Sequence, residues 1–230
     1  MKARLALLAV GCIAPSVALI AAKPPLRFQP DPSSVIAAEI AFNRLAQQKG
    51  QWTAFRETAA DDAVMFVPQR VLAKDWLKKQ ADPPASVSWS PSIVYVSCDG
   101  SLAASNGNWK RPDGSVGYFT TIWRRDKKGR WQWILDHGDT LSSARAAPEF
   151  LSGKVATCKR GARPEGPPPP SPGGKPGKGD VSPPPDESLL WTADATTDGG
   201  RHVAVRMWTG SAYETVIDDI VKGGGVKVGS

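Results

Sequence analysis

From Asn106 to Asp139, apolar and polar residues alternate through NGNWKRPDGSVGYFTTIWRRDKKGRWQWILDHGD, interrupted by two polar turns, and this pattern predicts three consecutive antiparallel strands. The turns are Arg111-Pro112-Asp113-Gly114 and Asp126-Lys127-Lys128-Gly129, each with Gly where a type I turn is followed by a residue with positive φ. Such loops fix register. In the first hairpin Gly107 is expected opposite Phe119, Trp109 opposite Gly117 and Ala103 opposite Trp123. In the second, Trp123 is expected opposite Trp133 and Phe119 opposite His137. One face then carries Ala103, Ser105, Gly107, Trp109, Phe119, Thr121, Trp123, Trp133, Leu135 and His137. The other carries Asn106, Asn108, Tyr118, Thr120, Ile122, Arg124, Gln132, Ile134 and Asp136.

Upstream, the period lengthens to that of helices. Ser33 or Ser34 can cap a helix from Val35 to Lys49 that stops at Gly50, with Ile36, Ile40, Ala41 and Leu45 as its apolar stripe and Phe42 beside them. A short helix over Trp52 to Ala59 leads into an edge strand, Ala63 to Val67, which Pro68 ends. Val71 to Gln80 reads as a third helix, stopped by Asp82-Pro83-Pro84. A long strand from Val87 to Cys98, kinked at Pro91, turns at Asp99-Gly100 into Leu102 to Trp109, which brings Val94 and Val96 onto the aromatic face. Helices followed by long antiparallel strands make an α+β domain: a curved antiparallel sheet with the N-terminal helices packed on its concave face.

Composition changes the picture at both ends. Lys2 and Arg4 precede an apolar run and small residues, the pattern of a secretory signal over residues 1–22, with cleavage after Ala18, Ala21 or Ala22. Pro15 interrupts that run, so no stable membrane span is expected once the signal is removed. The expected location is periplasmic or secreted. Cys12 leaves with the signal, and Cys98 and Cys158 remain as a disulfide candidate. The formal net charge of +7 falls to +5 without Lys2 and Arg4. No aromatic-spaced basic motif accompanies it, so nucleic acid is not an expected partner.

The main domain is therefore read as residues 28–158. Residues 159–187 are a basic Pro/Gly-rich linker unable to bury a core. Residues 188–222, with turns at Asp198-Gly199 and Thr209-Gly210, read as three further strands that must dock on the main domain or on a second subunit. Residues 223–230 are expected to be a flexible tail.

GQWTAFRETAADDAVMFVP, the meander ending YFTTIWRRDKKGRWQWILDHGD, and their order resemble the SnoaL-like branch of the nuclear transport factor 2-like superfamily. The resemblance covers about Val35 to Thr140 and implies a cone-shaped cystatin-like α+β fold, often with a cavity, and a sheet that often makes dimers. The concave aromatic face is the expected pocket for a small apolar or aromatic ligand, with Trp109, Phe119, Thr121, Trp123, Trp133 and Leu135 as candidate contacts. His137, with Asp139 two residues on to orient it, is the candidate acid–base pair for an isomerase, dehydratase or hydrolase. Catalytic members of the superfamily use a pocket carboxylate or a His-Asp pair with Tyr donors, whereas Tyr95 and Tyr118 fall on the outer face here. A non-catalytic envelope interaction or dimerisation module is the third reading. The chain has two His, His137 and His202, and no Cys/His cluster at metal-ligand spacing, so no metal is expected. It has no Walker A loop, Gly-rich dinucleotide fingerprint or Gly-x-Ser-x-Gly elbow, and no cofactor is expected.

Overall fold

The computed structural model describes residues 28–146, 148–158 and 187–224; the expected signal segment and nearly all of the expected linker and tail lie outside them. Helix α1 (Pro32–Lys49) starts one turn earlier than the serines suggest, because Asp31 is its N-cap and accepts from the backbone N–H of Ser33, with Pro32 in the first turn. Its buried residues are Val35, Glu39, Phe42 and Ala46, a stripe one residue away from the one expected, and Ile40 is exposed. Both stripes have helical spacing. The one chosen carries a carboxylate whose hydrogen bonds are made inside the core.

Helix α2 (Gln51–Thr58) runs directly into β1 (Ala59–Phe66). The helix expected over Val71 to Gln80 is reduced to α3 (Ala73–Leu77), because β2 (Arg70–Leu72) folds back as a strand on β1, with Val71 opposite Met65. β1 is accordingly an inner strand, with β2 at the edge. The remaining strands of the main sheet are β3 (Ser88–Val96), β4 (Leu102–Lys110), β5 (Val116–Arg125), β6 (Trp131–Leu141) and β7 (Ser152–Val155), in the order β2-β1-β6-β5-β4-β3-β7. The sheet is mixed, since β1 runs parallel to β6 and β7 parallel to β3, while the expected central strands are antiparallel. A disulfide joins Cys98, just after β3, to Cys158, just after β7.

The β4–β5 hairpin has the register its turn chemistry predicts, with Gly107 opposite Phe119 and Trp109 opposite Gly117. A side chain at Gly117 would meet the Trp109 ring 2.2 Å from its Cβ, so the glycine makes room for the indole to lie across the neighbouring strand. The helices pack on this face. Phe42 and Phe55 meet edge to face at 4.7 Å, and they touch Trp123 and Trp133 at 6.0 and 5.7 Å respectively.

The C-terminal strands β8 (Leu189–Ala195), β9 (Arg201–Trp208) and β10 (Tyr213–Val221) form a separate antiparallel sheet with β9 in the middle. They dock in cis on the other side of the main sheet. The Thr120 hydroxyl donates to Asp219 at 2.6 Å, the Cys98 backbone N–H to the Ser188 hydroxyl at 2.8 Å, and the Thr157 N–H to the Trp208 carbonyl at 3.0 Å. The central sheet is thus covered by helices on one face and by the small sheet on the other.

Candidate functional site

Strand β6 departs from simple alternation. Trp133 stands opposite Trp123 as expected, but the next pair is Leu135 with Ile122, and Ile134 is the extra residue of a bulge. Beyond it every side chain changes face. Asp136 stands opposite Thr121, His137 opposite Thr120, and Phe119 opposite Gly138 rather than His137. The expected placement of Leu135 and His137 on the aromatic face, and of Asp136 on the outer one, is corrected by this single inserted residue.

Asp136 therefore joins the helix-covered face. Its carboxylate accepts a hydrogen bond from the Thr121 hydroxyl at 3.0 Å. Thr121 pairs across the strands with Ser105, whose hydroxyl donates to Glu39 at 2.5 Å. Glu39 also accepts from the indole N–H groups of Trp89 and Trp123, at 2.7 and 3.1 Å. Burial pushes the Glu39 carboxyl above the usual carboxylate range, against the opposing pull of the Ser105, Trp89 and Trp123 hydrogen bonds. Burial and the charge of Glu39 together push Asp136 up to about 8, with only the Thr121 hydrogen bond acting the other way. Two carboxyl groups that resist ionising together are set on adjacent hydroxyls of one sheet face.

Asp136 opens onto a cavity of 380 Å³, within the range of small-molecule sites. Trp52, Phe55, Met65, Phe66, Trp89, Trp109 and Phe119 form its apolar walls, and Arg111, Asp139, Thr140 and Arg201 its more exposed side. Of the expected ligand contacts, Trp109 and Phe119 line it. Trp123 and Trp133, at 1% and 0% exposure, are packed behind it against Phe42 and Phe55. Thr121 is buried beneath Asp136, and Leu135 lies opposite Ile122 on the other face.

His137 borders the cavity, but its ring is buried between Phe66 and Tyr118 at centroid distances of 6.1 and 5.9 Å. Its Nδ1 accepts from Arg201 Nε at 2.8 Å, which leaves the proton on Nε2, 3.7 Å from Asp219 and without a hydrogen-bond partner. Burial and the Arg201 charge lower its pKa to about 3. Asp139 does not orient it; that carboxylate accepts from the Thr140 N–H at 2.9 Å. A histidine whose basic nitrogen is occupied by a cation is a poor base, so the pairing expected from the sequence does not form.

Glu39 and Asp136 were not among the residues the sequence singles out. For Glu39 a signal exists, an acid at helical spacing between Val35 and Phe42. For Asp136 none does, because nothing in Trp133-Ile134-Leu135 announces a bulge. Among the described residues no group of three or more His, Cys, Asp or Glu is placed to hold a metal ion, and no helix is long and apolar enough to cross a membrane.

No protein-family model matches the sequence, and no curated protein is similar to it. Solved structures are similar. A ketosteroid isomerase-like protein from Erwinia carotovora atroseptica matches with 16% identity and a TM-score of 0.38, over 47% of this chain and 95% of that one. A nuclear transport factor 2-like protein of unknown function from Shewanella baltica has 14% identity and a TM-score of 0.36, over 47% and 92%. A protein of unknown function with a cystatin-like fold from Methylobium petroleophilum has 10% identity and a TM-score of 0.36, over 54% and 86%. The likeness is one of fold and spans about half of this chain.

Proposed function

We propose that this protein binds a small, largely apolar, oxygen-bearing molecule in the aromatic cavity, and that Asp136 moves a proton to or from it. The observation that carries this reading is the Asp136 carboxyl on the cavity wall, hydrogen-bonded to Thr121 and coupled to the buried Glu39. A carboxyl held protonated near neutral pH can donate to a carbonyl or hydroxyl oxygen, and once ionised it can take the proton back. The reaction class is an isomerisation, dehydration or hydrolysis of a ligand held by Trp109, Phe119 and Trp89. Asp136 takes the role that His137 was expected to have.

The aromatic walls by themselves support a second reading, plain binding without catalysis. A thermal-shift screen of small aromatic and alicyclic ketones, phenols and esters separates the two. Trp109→Ala is expected to lose the shift in either case. Asp136→Asn is expected to keep binding and abolish turnover; retained turnover in that variant rules out Asp136 as the proton-transfer group, and binding by the wild type with no turnover of any bound compound leaves the passive pocket as the better account.

The protein is placed outside the cytoplasm in this proposal, in the periplasm or secreted. The signal-like segment at residues 1–22 and the Cys98–Cys158 bridge support that location. Cell fractionation with an intact and a truncated leader tests it. A homodimer would have to use a surface other than the one β8–β10 cover, and the mass in solution decides whether one forms.

A further inference from the structure

Arg201 is the residue through which the C-terminal sheet enters the cavity wall. It is partly buried and fixed at two points: its Nε donates to His137 and its Nη2 to the Gly138 carbonyl. Among the described residues no carboxylate lies within 4.0 Å of it, although Asp139 is near enough to favour its charged form. Arg111 lines the same side of the cavity, its guanidinium 4.4 Å from the centre of the Trp109 ring, and it too lacks a carboxylate within 4.0 Å among the described residues. The groups facing Arg201 are Asp139, the neutral His137, Tyr118 and the Phe66 ring, and the carboxylates nearest the two guanidinium groups, Asp139 for Arg201 and Asp113 for Arg111, make no ion pair with them within 4.0 Å. A partly desolvated cation left with donors to spare is unfavourable alone and favourable beside an anion.

Resting on the pocket reading above, we infer that the ligand is an acid: its carboxylate or other anionic group pairs with Arg201, with Arg111 beside it, while its apolar body lies against Trp109 and Phe119 and a distal oxygen reaches Asp136. Spacing supports a compact ligand. Arg201 is anchored at Gly138, two residues along β6 from Asp136, a distance of roughly 7 Å at the usual strand rise. That span suits a single aromatic or alicyclic ring carrying a hydroxyl or keto oxygen at one end and an acid at the other. The anion is recognised by a side chain from β9, so the C-terminal strands complete the site.

The test uses the full-length protein and hydroxy- and oxo-substituted aryl carboxylates, each paired with its primary amide, with binding followed by tryptophan fluorescence and calorimetry. The wild type is expected to bind acids about tenfold more tightly than the matched amides. Arg201→Gln is expected to remove that preference, with acid affinity falling by a larger factor than amide affinity, and Arg201→Lys to retain part of it. Arg111→Gln, at an exposed position, is expected to reduce it by a smaller factor. Equal binding of acids and amides by the wild type overturns the anion inference and leaves the pocket intact. So does an Arg201→Gln variant, folded by circular dichroism, that loses both to the same extent. Binding of neither series overturns the pocket reading with it.

Discussion

Thr121 and Asp136 face each other across β5 and β6, joined by a 3.0 Å hydrogen bond, only because Ile134 is looped out of the strand pairing two residues earlier. Without that residue's displacement His137 would look into the cavity and Asp136 would lie under the C-terminal sheet. The chemistry of the site is thus decided by a local backbone irregularity.

Replacing Asp136 should change how stability depends on pH. Its folded pKa, about 8, lies above the unfolded carboxylate value, so the folded state holds the proton more tightly. That contribution is fully present below the unfolded value near 4 and is lost as pH rises through 8. Asp136→Asn should therefore be less sensitive to pH across this window than the wild type, and more stable relative to it at pH 8 than at pH 5. Urea melts at the two pH values give the comparison. A difference that is the same at both contradicts the assignment.

Glu39 is predicted to be far less replaceable than its position on an exposed-looking helix suggests. Glu39→Ala strips the acceptor from Trp89, Trp123 and Ser105 together, and should cost about 3 kcal/mol or more in denaturant unfolding. Glu39→Gln keeps an acceptor and should cost less. By removing a neighbouring negative charge it should also move the Asp136 pKa downward.

His137 should stay neutral in the folded protein well below the usual histidine range. Its pKa is depressed to about 3, so its contribution to stability is present above the unfolded value near 6.5 and is lost as pH falls toward 3. An NMR titration of the imidazole that finds a midpoint near 6.5 would show that Arg201 does not occupy Nδ1 as described.

The Cys98–Cys158 bridge closes a loop with a sequence separation of 60 and should contribute about 2–4 kcal/mol. Cys98→Ser is expected to lose that amount. Two free thiols in the unreduced mature protein would show that the bridge is not formed.

How far the sequence was legible follows from how local each signal is. The turns at Arg111–Gly114 and Asp126–Gly129 act on their immediate neighbours, and the pairs Gly107–Phe119, Trp109–Gly117 and Trp123–Trp133 stand where those turns put them. The bulge at Ile134 has no such local signature, and a single extra residue in a period-2 element inverts everything after it. The pairing of β2 with β1 and of β7 with β3, and the docking of β8–β10 over the outer face, are long-range contacts that turn and periodicity patterns do not specify. On α1 the stripe read from the sequence, Ile36, Ile40, Ala41 and Leu45, lies one residue away from the buried one, which includes Glu39. The choice between them rests on the Trp89, Trp123 and Ser105 donors, which lie at least 50 residues away in the chain.

The central claim is that Asp136 is a protonated cavity carboxyl near neutral pH. A carbon-13 NMR titration of its side-chain carboxyl, assigned by comparison with Asp136→Asn, measures this directly. A midpoint near 8 is predicted. A midpoint near 4, the value of an exposed aspartate, would contradict it.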